Sequence, residues 1–300
     1  MIQPPNLIKG NKVAFVAPAR SVSEDEVKNA IELFEKHGLK VVHSKKLFGK
    51  HNQFSGSDFE RSDDFQQYLD NPDIKAIISV RGGYGSIRTL QNINFEKFKC
   101  SPKWIVGYSD VTVFHSYINN QLGFETIQAP MPFNLNKSDF DLDSFNKTFD
   151  ILFGKLSNYV FEPHEFNVWG NATGRLIGGN LSVLYSLCGT PAEFKSQGNI
   201  LFVEDIDEYL YHIDRMMMNL KYGGKLHNLK GIIVGDMTDM KDNNIPFGKN
   251  AYEIIADVLS GYNIPVCYGF PAGHGKRNWP LIMGHTVSLN VSDKCSLKFL

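Results

Sequence analysis

The 300-residue chain has no apolar run long enough to cross a bilayer: stretches such as Val13 to Pro18 stop far short of the roughly 20 residues a spanning helix needs. Its first residues, Met1-Ile2-Gln3-Pro4-Pro5, lack a basic region followed by an apolar one, so no secretory signal is expected. An excess of one charge is missing as well. Lys and Arg total 31 against 32 Asp and Glu, with no block of like charge, which argues against nucleic acid or a membrane surface as a partner. There are only four cysteines, Cys100, Cys188, Cys267 and Cys295. None forms a C-x-x-C pair or stands at a metal-like spacing from histidine, so neither a zinc site nor a redox motif is expected. The chain shows no internal repeat and no low-complexity segment. These absences leave a cytoplasmic protein of a reducing compartment, with no metal and no cofactor, as the expectation.

What is present is a well-patterned globular sequence. Hydrophobic residues make up 42%, enough for one large core or two smaller ones, and the length favours two domains. Lys12 to Pro18 reads as a buried strand. Ser23-Glu24-Asp25-Glu26 is a capping box opening a helix that Gly38 stops, and Ser57-Asp58-Phe59-Glu60 is a second. Ile74 to Val80 and Trp104 to Val106 read as covered strands, and Val111 to Gln121 as a helix ended by Gly123. Strands alternating with helices predict a mostly parallel sheet. A helix from about Asp141 ends at Gly154, and the polar stretch around 157–167 marks the crossing into a second unit. Beyond it, strands are expected at Leu176-Ile177, 200–203, 232–234, 265–268, 286–290 and 296–300, with helices at 180–187, 207–220 and 251–259. The fold class is α/β: an N-terminal, mostly parallel sheet flanked by helices (1–155), plus a second, smaller α/β domain with a mixed sheet (156–300).

Four places could carry chemistry. Gly107-Tyr108-Ser109-Asp110 lies between a buried strand and a helix, where a serine hydroxyl is exposed and free N–H groups await an oxyanion. On the tetrapeptide alone a plain N-cap at Ser109 or Asp110 is the favoured reading, since Ser and Asp lead the N-cap preference. Arg81-Gly82-Gly83-Tyr84-Gly85 follows another buried strand, and its glycines admit a ligand to the backbone. It matches neither G-x-G-x-x-G nor a P-loop, which weakens a nucleotide reading. Glu204 and Asp205 end an apolar strand and should point to opposite sides, one orienting a histidine and the other capping the following helix, unless both are simply solvated. His274 sits in the loop Gly269-Phe270-Pro271-Ala272-Gly273-His274-Gly275, whereas His115 lies too far along its helix to meet Ser109.

With these residues in place, the chain resembles the LD-carboxypeptidases, serine peptidases that include muramoyl-tetrapeptide carboxypeptidase and the microcin C immunity peptidases. The resemblance runs over nearly the whole length. It is carried by Val16-Ala17-Pro18, Lys75-Ala76-Ile77 with Arg81-Gly82-Gly83-Tyr84-Gly85, Gly107-Tyr108-Ser109-Asp110-Val111-Thr112, Gly178-Gly179-Asn180-Leu181-Ser182 with Gly189-Thr190-Pro191, Val203-Glu204-Asp205 with Ile213-Asp214-Arg215, and Gly273-His274. It implies Ser109 as nucleophile, Glu204 as the triad carboxylate and His274 as base, with Asp110 and the Gly82-Gly83 region supplying the oxyanion hole. It further implies that the first domain carries the serine and the second the Glu and His, that the protein is a homodimer, and that the substrate is a muropeptide tetrapeptide losing its last D-alanine. A terminal carboxylate invites an arginine, and Arg81, Arg88, Arg175 and Arg277 are candidates. A microcin-type peptidase would want aromatic surface, for which Trp169 and Trp279 stand available unless both are core residues. The remaining alternatives are a non-catalytic peptide-binding module and a nucleotide-binding α/β protein.

Overall fold

Ser23 and Ser57 start the first two long helices. Each hydroxyl accepts from the backbone N–H three residues on, while Glu26 and Glu60 reach back to the cap amides at 2.7 and 2.8 Å. Such reciprocal bonds satisfy donors that the helix start otherwise leaves bare. A third capping box, Asn250 with Glu253, starts a helix in the second half. The structure, a computed structural model, describes residues 1–156 and 158–300; Ser157, in the polar stretch expected to join the two units, lies outside the described residues.

In chain order the elements are β1 (Lys12–Val16), α1 (Glu24–Lys36), β2 (Lys40–Val42), α2 (Asp58–Asp70), β3 (Ile74–Ser79), α3 (Ser86–Leu90), α4 (Glu96–Cys100), β4 (Trp104–Gly107), α5 (Thr112–Tyr117), β5 (Thr126–Gln128), α6 (Asp143–Leu152) and β6 (Tyr159–Phe161). There follow β7 (Gly170–Asn180), α7 (Leu181–Ser186), β8 (Ile200–Ile206), α8 (Leu210–Tyr222), β9 (Gly231–Thr238), α9 (Ala251–Leu259), β10 (Val266–Cys267), β11 (Leu281–Met283), β12 (Thr286–Val291) and β13 (Cys295–Phe299). The first sheet has the order β11-β5-β4-β3-β1-β2. Its strands β1 to β5 are parallel, and only β11 is antiparallel, with Ile282 opposite Ile127. The second sheet, β10-β9-β8-β7-β12-β13-β6, is parallel from β10 to β7 and antiparallel beyond it. It has seven strands against six, so the unit expected to be the smaller holds the larger sheet.

Three departures from the sequence reading have local reasons. The strand read at Leu176-Ile177 runs for 11 residues from Gly170. Its glycines at 170, 174, 178 and 179 remove the β-favouring side chains that would have announced it. The helix read from Asp207 starts at Leu210, because Asp207 has φ +64°, a left-handed conformation no α-helix begins with. The strands β5, β6 and β11, of three residues each, are too short for a period to emerge.

One hydrophobic cluster takes in Phe15, Phe34 and Trp104 from the first half and Phe202, Phe270 and Leu289 from the second. The halves also touch at a designed joint. Within the second half a Cβ on Gly178 would stand 1.9 Å from the Phe202 carbonyl oxygen, and across the joint one on Gly179 would stand 2.4 Å from Thr112 Oγ1. Asn180 N–H donates to that hydroxyl at 3.0 Å. Both glycines have positive φ, so backbone and space demand them together. The joint brings the carboxyl ends of β3, β4 and β8 together, the edge where parallel sheets place ligands.

Candidate active site

The turn after β4 is written in its backbone. Gly107 has φ +156°, and a Cβ there would press on Val111 at 2.9 Å. Ser109 follows with φ +61°, the left-handed region that a side chain enters at a cost of about 1–3 kcal/mol. Surrounding bonds hold it there. Ala129 N–H and His115 both donate to the Gly107 carbonyl, at 3.1 and 2.9 Å. Burial drops the His115 pKa to about 4, so its ring is neutral. Facing a carbonyl, Nε2 must carry the proton, and Nδ1 then accepts from Thr126 Oγ1 at 2.9 Å. His115 is thus a pin for the serine turn rather than a reacting group. Neither Ser109 nor Asp110 caps its own helix with its side chain. The buried Asp110 carboxylate instead accepts from Ser86 N–H, at the start of α3, at 2.7 Å, and burial raises its pKa.

The glycine turn after β3 packs against this serine. A Cβ on Gly82 would lie 3.1 Å from Ser109 Cβ and 3.2 Å from its Oγ, and one on Gly83 3.0 Å from Arg20 Cβ. The N–H groups of Gly82 and Gly83 have no acceptor among the described residues, so both are free to donate to a ligand.

The other half of the site sits on β8 and the loop after β10. Glu204 and Asp205 were open to a reading as solvated strand ends. They are 0% and 1% exposed, because β8 lies between β7 and β9. Their carboxylates diverge. Asp205 accepts from Asn180 Nδ2 and from Ser182 N–H, both at 2.9 Å, so it braces the start of the preceding helix α7 rather than the following one. Burial, then the charge of Glu204, pushes its carboxyl to about 7. Glu204 Oε2 stands 2.6 Å from Nδ1 of His274, whose side chain is 10% exposed. A carboxylate only accepts, so Nδ1 donates and Nε2 is left without a proton in the neutral ring. Burial pulls the His274 pKa down, but the charge and hydrogen bond of Glu204 outweigh it and leave the imidazole above its ordinary value.

These halves meet. Ser109, His274, Gly82 and Gly83 line one cavity of about 260 Å³ together with Arg20, Arg81 and Lys137. The Tyr108 ring, 4.7 Å from the imidazole, is wedged beside it and held by a bond from Asn134 Nδ2 to its hydroxyl at 2.9 Å. Three cations and no carboxylate among the lining residues make the cavity electropositive. Arg81 donates to the Ser21 carbonyl at 3.1 Å, pairs with Glu26 at 3.4 Å and lies 3.9 Å over the Phe133 ring. Arg20, unnoticed in the sequence, has no hydrogen-bond partner for its guanidinium among the described residues. Its signal was its place two residues past Pro18, where β1 runs out beside β3. Of the other candidates for a carboxylate, Arg88 is bound to Asp58 at 2.8 Å, Arg175 lines a separate depression with Met1 and Lys195, and Arg277 is exposed and outside the cavity lining. Trp169 is 70% exposed and Trp279 half-buried, and neither lines the cavity. Among the described residues no group of three or more His, Cys, Asp or Glu side chains is placed to hold a metal, and no helix is long and apolar enough to cross a membrane.

The chain is similar to known proteins over nearly its whole length. A family model described as the LD-carboxypeptidase N-terminal domain matches residues 13–129, and one described as the LD-carboxypeptidase C-terminal domain matches residues 173–289. The chain is 33% identical to the probable murein peptide carboxypeptidase of Bacillus subtilis (strain 168), over 98% of this chain and 93% of that protein. It is 28% identical to the microcin C7 self-immunity protein of Escherichia coli, over 96% and 93% of the two chains. The crystal structure of muramoyltetrapeptide carboxypeptidase from Oxalobacter formigenes is similar with a TM-score of 0.87 and 29% identity, covering 96% of this chain and 98% of that one.

Proposed function

The chain belongs to the LD-carboxypeptidase family, and from that premise we propose that it is a serine peptidase releasing the terminal D-alanine from muropeptide tetrapeptides. The observation that carries the proposal is the shared cavity: Ser109, strained at φ +61°, and His274, bonded to Glu204, line the same space. In this reading the unprotonated Nε2 of His274 takes the Ser109 proton as the hydroxyl attacks the scissile carbonyl. Glu204 holds the tautomer and stabilises the imidazolium that forms. The N–H groups of Asp110 and of the Gly82-Gly83 turn receive the oxyanion. The proton then passes to the leaving D-alanine, and water releases the acyl-enzyme. Arg20, Arg81 and Lys137 give the cavity the charge to receive the substrate carboxylate.

The same proposal draws the boundary between the units near residue 155, since α6 still packs on the first unit through Phe149 against Phe34 at 4.8 Å. A cytoplasmic homodimer completes it, and analytical ultracentrifugation checks the dimer. The microcin-type activity is the second reading, supported by the Escherichia coli relative; the absence of Trp169 and Trp279 from the cavity lining favours the first.

The test is mass spectrometry of a disaccharide tetrapeptide incubated with the protein or with Ser109→Ala. Wild type should remove one alanine, and the variant should lose roughly a million-fold in kcat. A tetrapeptide untouched by wild type would overturn the muropeptide reading and turn the assay to peptidyl-nucleotides.

A further inference from the structure

Strand β9 pairs with β8 at Val234 opposite Val203, and next at Met237 opposite Asp205. Two residues of β9, Gly235 and Asp236, therefore face the single Glu204, which makes a β-bulge level with the His274 partner. A bulge re-aims a side chain and frees its amide from the ladder. Here the Asp236 N–H donates to the Ala272 carbonyl at 3.0 Å, and Asp236 Oδ2 accepts from Gly275 N–H at 3.1 Å. On the other side of the histidine, Gly273 N–H donates to Asn278 Oδ1 at 3.2 Å, and Asn278 N–H to Ser144 Oγ at 3.0 Å. The amides before and after His274 are thus each held by a side chain from outside the 272–275 loop.

The fit leaves no slack. A Cβ on Gly275 would stand 2.5 Å from Asp236 Oδ2, and one on Gly273 3.0 Å from Asp236 Cβ and 3.1 Å from Glu204 Oε2. The charged groups facing Asp236 are Glu204, His274 and Arg277, and burial first, then Glu204, raises its carboxyl to about 6.

We propose that Asp236 is a positioning residue that holds the His274 loop so that Nδ1 meets Glu204 and Nε2 faces the cavity. The proposal rests on reading the site as a Ser-Glu-His peptidase. A histidine displaced by about an ångström costs on the order of 100-fold in rate, and loss of an orienting partner costs about 10- to 100-fold.

Asp236→Ala should therefore lower kcat for the disaccharide tetrapeptide about 100-fold with KM within about twofold, whereas Asp236→Asn, which keeps an oxygen for Gly275 N–H, should stay within about tenfold of wild type. The φ of Gly275 is not left-handed, so alanine there offends only Asp236. Gly275→Ala should accordingly be damaging by itself and add nothing to Asp236→Ala in the double variant. The downfield imidazole Nδ1–H resonance of His274 should persist in wild type and Asp236→Asn and vanish in Asp236→Ala. Unchanged kcat in Asp236→Ala, multiplying losses in the double variant, or an Asn variant as slow as the Ala variant would each overturn the proposal. If wild type releases no alanine, the muropeptide reading falls by itself, and the Nδ1–H resonance still decides Asp236: its persistence in Asp236→Ala overturns the positioning role.

Discussion

The serine side and the histidine side of the cavity are built by opposite means. Ser109 is placed chiefly by local backbone: Gly107 ends β4, the left-handed serine and a short helix follow within a few residues, the glycine turn after β3 leaves room, and His115 from the same helix pins the turn. His274 is placed by side chains, from Glu204 70 positions away, Asp236 39 positions from the amide it holds, and Asn278. The contrast teaches where each half is vulnerable. Groups close in sequence guard the first, and polar side chains distant in sequence guard the second.

Loss of the nucleophile itself apart, the largest expected effect falls on the second half. Glu204→Gln keeps the volume but offers the imidazole an amide in place of a carboxylate, and kcat should fall about 10,000-fold, as when a triad loses its tautomer control. A loss under about tenfold would show that the charge of Glu204 does not matter. Gly82→Ala strikes the first half alone. Its methyl would stand 3.1 Å from Ser109 Cβ, and kcat should drop about 100-fold while the His274 Nδ1–H resonance stays in place. Disturbance of that resonance would mean the halves are not separately built.

A smaller effect concerns pH. The base must be unprotonated, and Glu204 holds the His274 pKa above its ordinary value of about 6.5, so kcat/KM should rise with pH along a limb centred above about 6.5. A flat profile from about pH 5 to 8 would argue against His274.

The smallest effect lies away from both halves. His285 Nδ1 donates to Glu125 Oε1 at 3.0 Å, joining the turn after β11 to the residue before β5. The hydrogen bond to Glu125 outweighs burial and raises the His285 pKa. A raised folded-state pKa stabilises below the unfolded value of about 6.5, and that share fades as pH climbs through the folded value. Glu125→Gln should lower Tm by about 2 °C at acid pH and leave it unchanged at alkaline pH, by calorimetry, with kcat intact.

Much of this was legible in the amino-acid order. Capping boxes at Ser23 and Ser57, the alternation of strands and helices, and a serine between β4 and the helix after it all depend on residues within a turn or two of each other. Such short-range preferences survive in any context that allows them. The sequence also singled out Glu204 and His274, but their bond to each other joins positions 70 apart, and no local pattern encodes that distance. Nor could it show that β11 crosses back to the first sheet, that Arg20 faces the cavity, or that a bulge turns Asp236 to the histidine loop. These depend on which strands become neighbours and in what register. That choice is made by burying both sheets against one shared core, so only the tertiary structure decides it.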